Sequence, residues 1–188
     1  DSNASRVLGD VYKRQGLYGL KDPQKEINLG NSGTSIRLLS GILSAQKFSS
    51  TLIGDESLSS RPMRRIIEPL SKMGANIKSQ NSGRPPLEIE MSEKLNSINY
   101  ELPIASAQVK SCILFASLYS EGKTIVRERQ TTRNHTEIMF KQFGVPLSIR
   151  DTVDGRNIEM YSPSKLKSAE IDIPGDFSSA AFFILAAL

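Results

Sequence analysis

Five stretches of this sequence place small polar residues or an arginine directly before a helical pattern. They are Gly30-Asn31-Ser32-Gly33-Thr34-Ser35-Ile36-Arg37, Gly54-Asp55-Glu56-Ser57-Leu58-Ser59-Ser60-Arg61-Pro62, Ala105-Ser106-Ala107-Gln108-Val109-Lys110-Ser111, Thr131-Thr132-Arg133-Asn134-His135-Thr136-Glu137 and Pro174-Gly175-Asp176-Phe177-Ser178-Ser179. The first N–H groups of a helix lack intrahelical partners, and the peptide dipoles add partial positive charge there. Such ends suit phosphate or carboxylate ligands. Gly33 has no Cβ to keep an anion off the backbone. Arg61 and Arg133 each bring a guanidinium to a helix start. Ser106 offers a hydroxyl, and Gln108 an amide that both donates and accepts. Singly, each stretch is also a plain N-cap. Arg61 could pair with Asp55 or Glu56, Arg64 and Arg65 could line a solvated helix face, and the fourth stretch could hold a Thr-to-Glu capping box. Five in succession suggest helices aimed at one anionic ligand. The Gly-x-x-x-x-Gly-Lys-Ser/Thr spacing of a P-loop is absent.

The intervening elements read as a repeat. Thr51-Leu52-Ile53 predicts a strand. Pro62 to Met73 predicts a helix with apolar Met63, Ile66, Ile67, Leu70 and Met73 on one face, Pro62 in its first turn and Gly74 as its C-cap. Strands follow at Asn76 to Lys78 and Leu87 to Met91. The order then recurs, with a strand at Thr124 to Val126, a helix from Asn134 to Phe143 closed by Gly144, and strands at Leu147 to Ile149 and Asn157 to Met160 around an Asp154-Gly155 turn. Gly74 and Gly144 lie about 70 positions apart, and helix starts near Gly33, Ser106 and Ser178 keep nearly the same period. The fold class is therefore α/β (α+β), built from repeated units with about two and a fraction copies present.

Composition narrows the chemistry. The 188 residues carry 24 Lys and Arg against 20 Asp and Glu, a net charge of +4 that suits small anions as well as nucleic acid. One cysteine, Cys112, excludes an internal disulfide framework, and one histidine, His135, excludes a multi-histidine metal centre. No cofactor or metal is expected. No apolar run approaches the ~18 residues of a membrane span, so no membrane partner is expected either. Residues 1–15 follow no usable periodicity; Ser2-Asn3-Ala4 resembles a tag remnant, and the segment is set aside as a non-family stretch. Lacking a secretory signal and rich cysteine content, the chain is expected in the cytoplasm.

The motifs Leu29 to Thr34, Gly54 to Leu58 with Arg61-Pro62-Met63, Ala105 to Ser111, Arg133 to Glu137 and Pro174 to Ala180 resemble, in order and spacing, those of the EPSP synthase family. The resemblance runs from about Gly16 to Leu188. It implies repeated βαβαββ units of the enolpyruvyl transferase fold (an inside-out α/β barrel), residues 16–188 forming most of the N-terminal of two similar domains. It implies transfer of the enolpyruvyl group of phosphoenolpyruvate to the 5-hydroxyl of shikimate 3-phosphate with release of phosphate, in aromatic amino acid biosynthesis. By motif, Gly33 and Arg61 would contact phosphoenolpyruvate, and Ser106 and the Ala107 backbone the 3-phosphate. Arg133 would reach the same ligand, and Gln108 would lie between the two substrates. Asn31, Thr34, Lys110 and Asp176 are further candidates. Asn134 stands where the family usually has aspartate, so altered local pairing beside Arg133 is expected. His135 is expected to be structural and Cys112 a small core residue. Gly33 leaves the phosphoenolpyruvate pocket open, as in members sensitive to glyphosate.

The family's opening Asp-Lys-Ser-x-x-x-Arg segment is not found before Gly16, and its second domain would lie beyond Leu188. No convincing general acid–base set, and hence no catalytic residue, is found in the chain. The chain alone is therefore expected to bind shikimate 3-phosphate weakly at best and not to turn over. Two alternatives compete. The sister enzyme acting on UDP-N-acetylglucosamine shares the fold but lacks the Ser-Ala-Gln motif and carries a reactive cysteine in a glycine-rich loop. A basic nucleic-acid-binding α/β domain would gather its cations on one face, whereas here Glu88, Glu90 and Glu93 lie near Lys94 and the charges are mixed, so no nucleic acid is expected.

Overall fold

The computed structural model describes residues 16–171. The first unit runs β1 (Ile27–Asn28), α1 (Gly33–Leu43), β2 (Ser50–Ile53), a short α2 (Glu56–Ser59), α3 (Arg64–Lys72), β3 (Ile77–Gln80) and β4 (Arg84–Ile89). After the small strand β5 (Leu95–Asn96), the second unit runs β6 (Asn99–Glu101), α4 (Ala107–Ser117), β7 (Ser120–Glu121), β8 (Lys123–Glu128), α5 (His135–Gln142), β9 (Leu147–Thr152) and β10 (Gly155–Tyr161). The two large sheets have orders β1-β2-β4-β3 and β6-β8-β10-β9, and β5 pairs with β7 in a separate ribbon. In each large sheet the first two strands are parallel and the remaining pairs antiparallel. This is one βαβαββ plan used twice, as the sequence period implies.

The two closing glycines act alike. Gly74 (φ +99°) and Gly144 (φ +75°) turn the chain into the left-handed region, where a Cβ would be strained. Each is followed by a residue whose N–H reaches back across the last turn, Ala75 to the Leu70 carbonyl and Val145 to the Phe140 carbonyl. Several element boundaries differ from expectation, two of them for a visible reason. Helix α3 starts at Arg64 with Met63 as its N-cap, so Pro62 precedes the helix; the Met63 N–H is taken by the Gly83 carbonyl at 2.7 Å. Strand β4 begins at Arg84, although Pro85 and Pro86 argue against a strand interior. The ladder to β3 shifts register between Ser79 and Gln80, beside those prolines, which accommodates the missing donors. The third helix start, near Ser178, lies outside the described residues.

The core centres on α4. Val109, Cys112, Ile113, Leu114 and Ala116 are all buried, and so are Lys110, Ser111 and Ser117. A helix buried on nearly every side needs partners all round; α1, α3 and the sheets supply them, and the edge-on contact of Phe115 with Phe140, centroids 5.3 Å apart, ties it to α5. Small residues set the spacing. Ser40, Ser44 and Ser117 fold their hydroxyls back onto the carbonyls of Ile36, Ser40 and Ile113, each at 2.7 Å, which satisfies them without a partner on the neighbouring helix. Gly41 is the point of closest approach: a Cβ there would collide with the Cys112 carbonyl. Gly41→Ala should therefore force α1 away from α4 and lower the unfolding free energy by about 1–3 kcal/mol, read by chemical denaturation. An unchanged midpoint would refute the close-packing argument.

Candidate functional site

Because α1 and α4 run parallel and in contact, their N-termini lie side by side. Ser32 caps α1, its Oγ accepting the Ser35 N–H at 3.2 Å, and Ser106 caps α4, accepting the Val109 N–H at 3.4 Å. The loop before α1 is clamped to the one after β2 by the bond from the Asp55 N–H to the Gly30 carbonyl. Asp55 in turn caps α2, its Oδ1 accepting the Leu58 N–H at 2.7 Å. Asn31 then acts as a neutral go-between. Its Nδ2 donates to Asp55 Oδ2 at 3.0 Å, while its Oδ1 accepts from Arg61 Nη2 at 2.5 Å. Ser57 Oγ accepts from the same nitrogen at 3.1 Å. Arg61 is thus aimed by two neutral oxygens; the direct pairing with Asp55 or Glu56 left open by the sequence does not form.

The decisive arrangement lies over Gly33. A Cβ at that position would sit 3.0 Å from Arg61 Nη1 and 3.2 Å from Arg37 Nη1, so two guanidiniums converge on the first residue of α1. Arg37 donates from Nη1 to the Gly33 carbonyl at 3.3 Å and to Gln108 Oε1 at 2.7 Å. The Gln108 Nε2 donates to Thr34 Oγ1 at 2.7 Å. Gln108 is therefore held at both ends, and it joins the helix starts of the two units. Burial holds the Arg37 pKa below the ordinary arginine value, and the positive charges of Arg61 and Arg65 push it the same way. Among the described residues, none of these three arginines forms a salt bridge. Like charges gathered without an acidic partner are relieved by an anion.

The remaining candidates divide. Thr34, Asn31, Gly33, Arg61 and Gln108 form one hydrogen-bonded group, with Ser106 and Ala107 at the adjoining helix start. Arg133 is exposed, just before Asn134, the N-cap of α5. The 2.7 Å bond between Ser111 Oγ and Thr136 Oγ1 sets the start of α5 against α4, but among the described residues no hydrogen bond joins Arg133 to the Arg37–Arg61 group. Lys110 requires correction. It is fully buried, with Nζ 3.2 Å from Glu128 Oε2 and 2.7 Å from Glu137 Oε1, and so cannot face a ligand at the helix starts. The capping box also fails to form, because Glu137 turns inward to Lys110 and the Asn134 side chain makes no cap bond. His135 is exposed and hydrogen-bonds nothing among the described residues. Asp176 lies outside them.

Arg37 is the residue the motif reading passed over. Its signal was available: it stands four residues after Gly33, hence on the same helix face one turn on. The site is an open face. A cavity of about 810 Å³ lies at the far end of α1 and α4, lined by Gln46, Phe48, Tyr119 and Glu121 among others, away from every motif residue. Among the described residues no group of three acidic, histidine or cysteine side chains could hold a metal, and no helix is long and apolar enough to cross a membrane.

Comparison with known proteins bears on the same motifs. The profile of the EPSP synthase (3-phosphoshikimate 1-carboxyvinyltransferase) family matches residues 4–188. The chain belongs to this family. The match begins inside the stretch set aside above. A 3-phosphoshikimate 1-carboxyvinyltransferase of Methylococcus capsulatus is 52% identical over 172 residues, covering 92% of this chain and 38% of its own length. The enzyme of that name from Ruthia magnifica is 54% identical over the same shares. The solved structure of EPSP synthase from Acinetobacter baumannii superposes with a TM-score of 0.80 at 49% identity, over 91% of this chain and 38% of that one. The chain thus spans well under half the length of the relatives it matches, and its α/β units are those of the EPSP synthase fold.

Cys112 separates this chain from a thiol-dependent relative. It is fully buried mid-helix, and burial pushes its thiol far above the ordinary range. It should resist a thiol-labelling reagent in the native protein and react on unfolding. For the arginine cluster, inorganic phosphate titrated into the protein should shift the Arg37 and Arg61 guanidinium NMR signals. Arg61→Ala should weaken that binding about tenfold, the worth of one charge-assisted contact; equal affinity in the variant would mean that the cluster is not an anion site.

Proposed function

We propose that the protein, at the full length of its relatives, transfers the enolpyruvyl group of phosphoenolpyruvate to the 5-hydroxyl of shikimate 3-phosphate. In that reaction the methylene carbon of phosphoenolpyruvate gains a proton and the hydroxyl oxygen attacks the neighbouring carbon. The hydroxyl gives up its proton in forming the tetrahedral adduct, whose methyl carbon then loses a proton as the C–O bond to phosphate breaks, which restores the methylene as the enol ether and releases phosphate. The observation that carries the reading is the convergence of Arg37 and Arg61 over Gly33, with no carboxylate in salt-bridge contact with them among the described residues, joined by Gln108 to the Ser106 helix start.

On this reading Gly33 and Arg61 hold phosphoenolpyruvate, with Asn31 and Ser57 aiming the arginine. The Ser106 hydroxyl, the Ala107 N–H and Arg133 hold the 3-phosphate of the acceptor. Gln108 lies between the two ligands, fixed by Arg37 and Thr34. Groups that move protons are sought in the length that the relatives have and this chain does not span, in the second domain implied by the resemblance. The chain alone is expected not to turn over. Cytoplasmic location follows from the same reading. A nucleic-acid role finds little support, since Lys72, Lys78, Lys94 and Lys123 are paired with Glu68, Glu90, Glu121 and Glu159.

The test is phosphate release from the two substrates by the full-length protein, with Gly33→Ala as the diagnostic variant. The added Cβ falls 3.0 Å from Arg61 Nη1 and 3.2 Å from Arg37 Nη1, a crowding of about 1–3 kcal/mol for any ligand that needs both guanidiniums in place. Inhibition by glyphosate should weaken about tenfold or more by that measure, with a smaller rise in the KM for phosphoenolpyruvate. Unchanged inhibition would remove Gly33 from the site, and absence of turnover by the unaltered full-length protein would sink the reading.

A further inference from the structure

The buried charges of the second unit have a geometry that packing alone does not call for. Lys110 Nζ lies 3.3 Å from Glu128 Oε1, 3.2 Å from Glu128 Oε2 and 2.7 Å from Glu137 Oε1, and all three side chains are 0–1% exposed. One ammonium faces two carboxylates. Among the described residues Glu137 Oε2 has no donor, and Oε1, though close to Nζ, lacks the alignment of a hydrogen bond. Arg156 adds a more distant positive field from β10, its own bond being to Asp151. Buried ion pairs are costly to desolvate and are often matched or bettered by apolar side chains. A triad with one excess negative charge and an unsatisfied oxygen is therefore a poor stabiliser.

As a register pin it is well made. Lys110 stands two residues after Gln108 on α4, and its N–H bonds the Ser106 carbonyl at 3.1 Å. Glu128 ends β8, and its Oε2 also accepts the Thr132 hydroxyl at 2.8 Å and the Thr132 N–H at 3.3 Å. Glu137 lies in the first turn of α5. Thr132 immediately precedes Arg133, and Glu137 follows it by one turn, so Arg133 is bracketed by two residues anchored through one lysine on the helix that starts at Ser106. We propose that Lys110, Glu128, Glu137 and Thr132 are positioning residues, which hold Arg133 at a set distance from Ser106 and Gln108 so that the two helix starts grip one phosphorylated ligand. The nature of that ligand, shikimate 3-phosphate, rests on the function proposed above.

Lys110→Met leaves two carboxylates buried without a cation and is at risk of not folding, so Thr132 carries the test. In the full-length protein Thr132→Val removes the hydroxyl bond to a charged acceptor at nearly constant shape. The KM for shikimate 3-phosphate should rise about tenfold, while kcat and the KM for phosphoenolpyruvate stay near the unaltered values and the protein, though less stable, remains folded at the assay temperature. Thr132→Ser should restore the lower KM. Combined with Arg133→Ala, Thr132→Val should add little, because its effect passes through that arginine. Amide hydrogen exchange at Thr132 to Asn134 should quicken in Thr132→Val, with or without substrate. An unchanged KM, an equal rise for both substrates, or full additivity with Arg133→Ala overturns the proposal. If the unaltered protein shows no turnover, the functional reading fails by itself, and the exchange rates still decide whether the triad pins the Arg133 segment.

Discussion

The site depends on how closely α1 can approach α4. Gly41 lets the backbone of one helix rest on the Cys112 carbonyl of the other, and the serines along the seam consume their own hydroxyls on carbonyls one turn back. That separation is what allows Arg37 and Gln108, 71 residues apart in sequence, to meet at 2.7 Å. A wider seam, filled by larger side chains, would leave the two helix starts as separate N-caps. The packing constraint and the chemistry are therefore one feature, expressed at opposite ends of the same helix pair.

Electrostatics gives the face its direction. Lys72, Lys78, Lys94, Lys123, Arg129 and Arg156 are each matched with an acid at salt-bridge distance. Among the described residues, Arg37, Arg61 and Arg65 at the helix starts have no such match, and two of them crowd over one glycine. Asp55 is linked to Arg61 only through Asn31: its carboxylate is occupied by the α2 cap and by the Asn31 amide, which passes orientation to the arginine without passing charge. The positive potential is thereby preserved for a ligand. Removing water from guanidiniums that already repel each other costs energy, and the depressed Arg37 pKa is the trace of that cost. Proteins retain such strain where function uses it.

What could be read in advance follows from what is local. The repeat was legible because Gly74 and Gly144 each end a helix by the same left-handed turn, and the apolar face of α3 recurs at helical spacing. Gly33, Arg61, Ser106 and Gln108 were legible as helix-start chemistry for the same reason. Arg37 needed only its place one turn beyond Gly33. The neutral bridge through Asn31 was not legible, since it joins two loops across 24 and 30 positions. Lys110 was misread because its type and its place near Ser106 suggested a ligand contact. Its flanking Val109, Cys112, Ile113 and Leu114 mark a buried helix, but the acids that make burial tolerable come from β8 and α5. The early start of β4 was hidden by its prolines, which only the shifted ladder explains.

Each unit carries an arginine near a helix start, mounted by different means, and the difference has a physical logic. In the first unit Arg61 sits on a loop held by amide and hydroxyl oxygens, all partly exposed, and its guanidinium overhangs Gly33 directly. In the second unit Arg133 is exposed and its side chain has no hydrogen bond or salt bridge among the described residues, so its placement follows from its backbone. That backbone is tied on both sides to a fully buried lysine. A long, solvated side chain has rotamer freedom to lose on binding, and a rigid mount limits that loss to the side chain itself. On the proposed function, a phosphate held between Arg133 and the Ser106 helix start would face one fixed wall, and the smaller anion would meet the more lightly held arginine over Gly33.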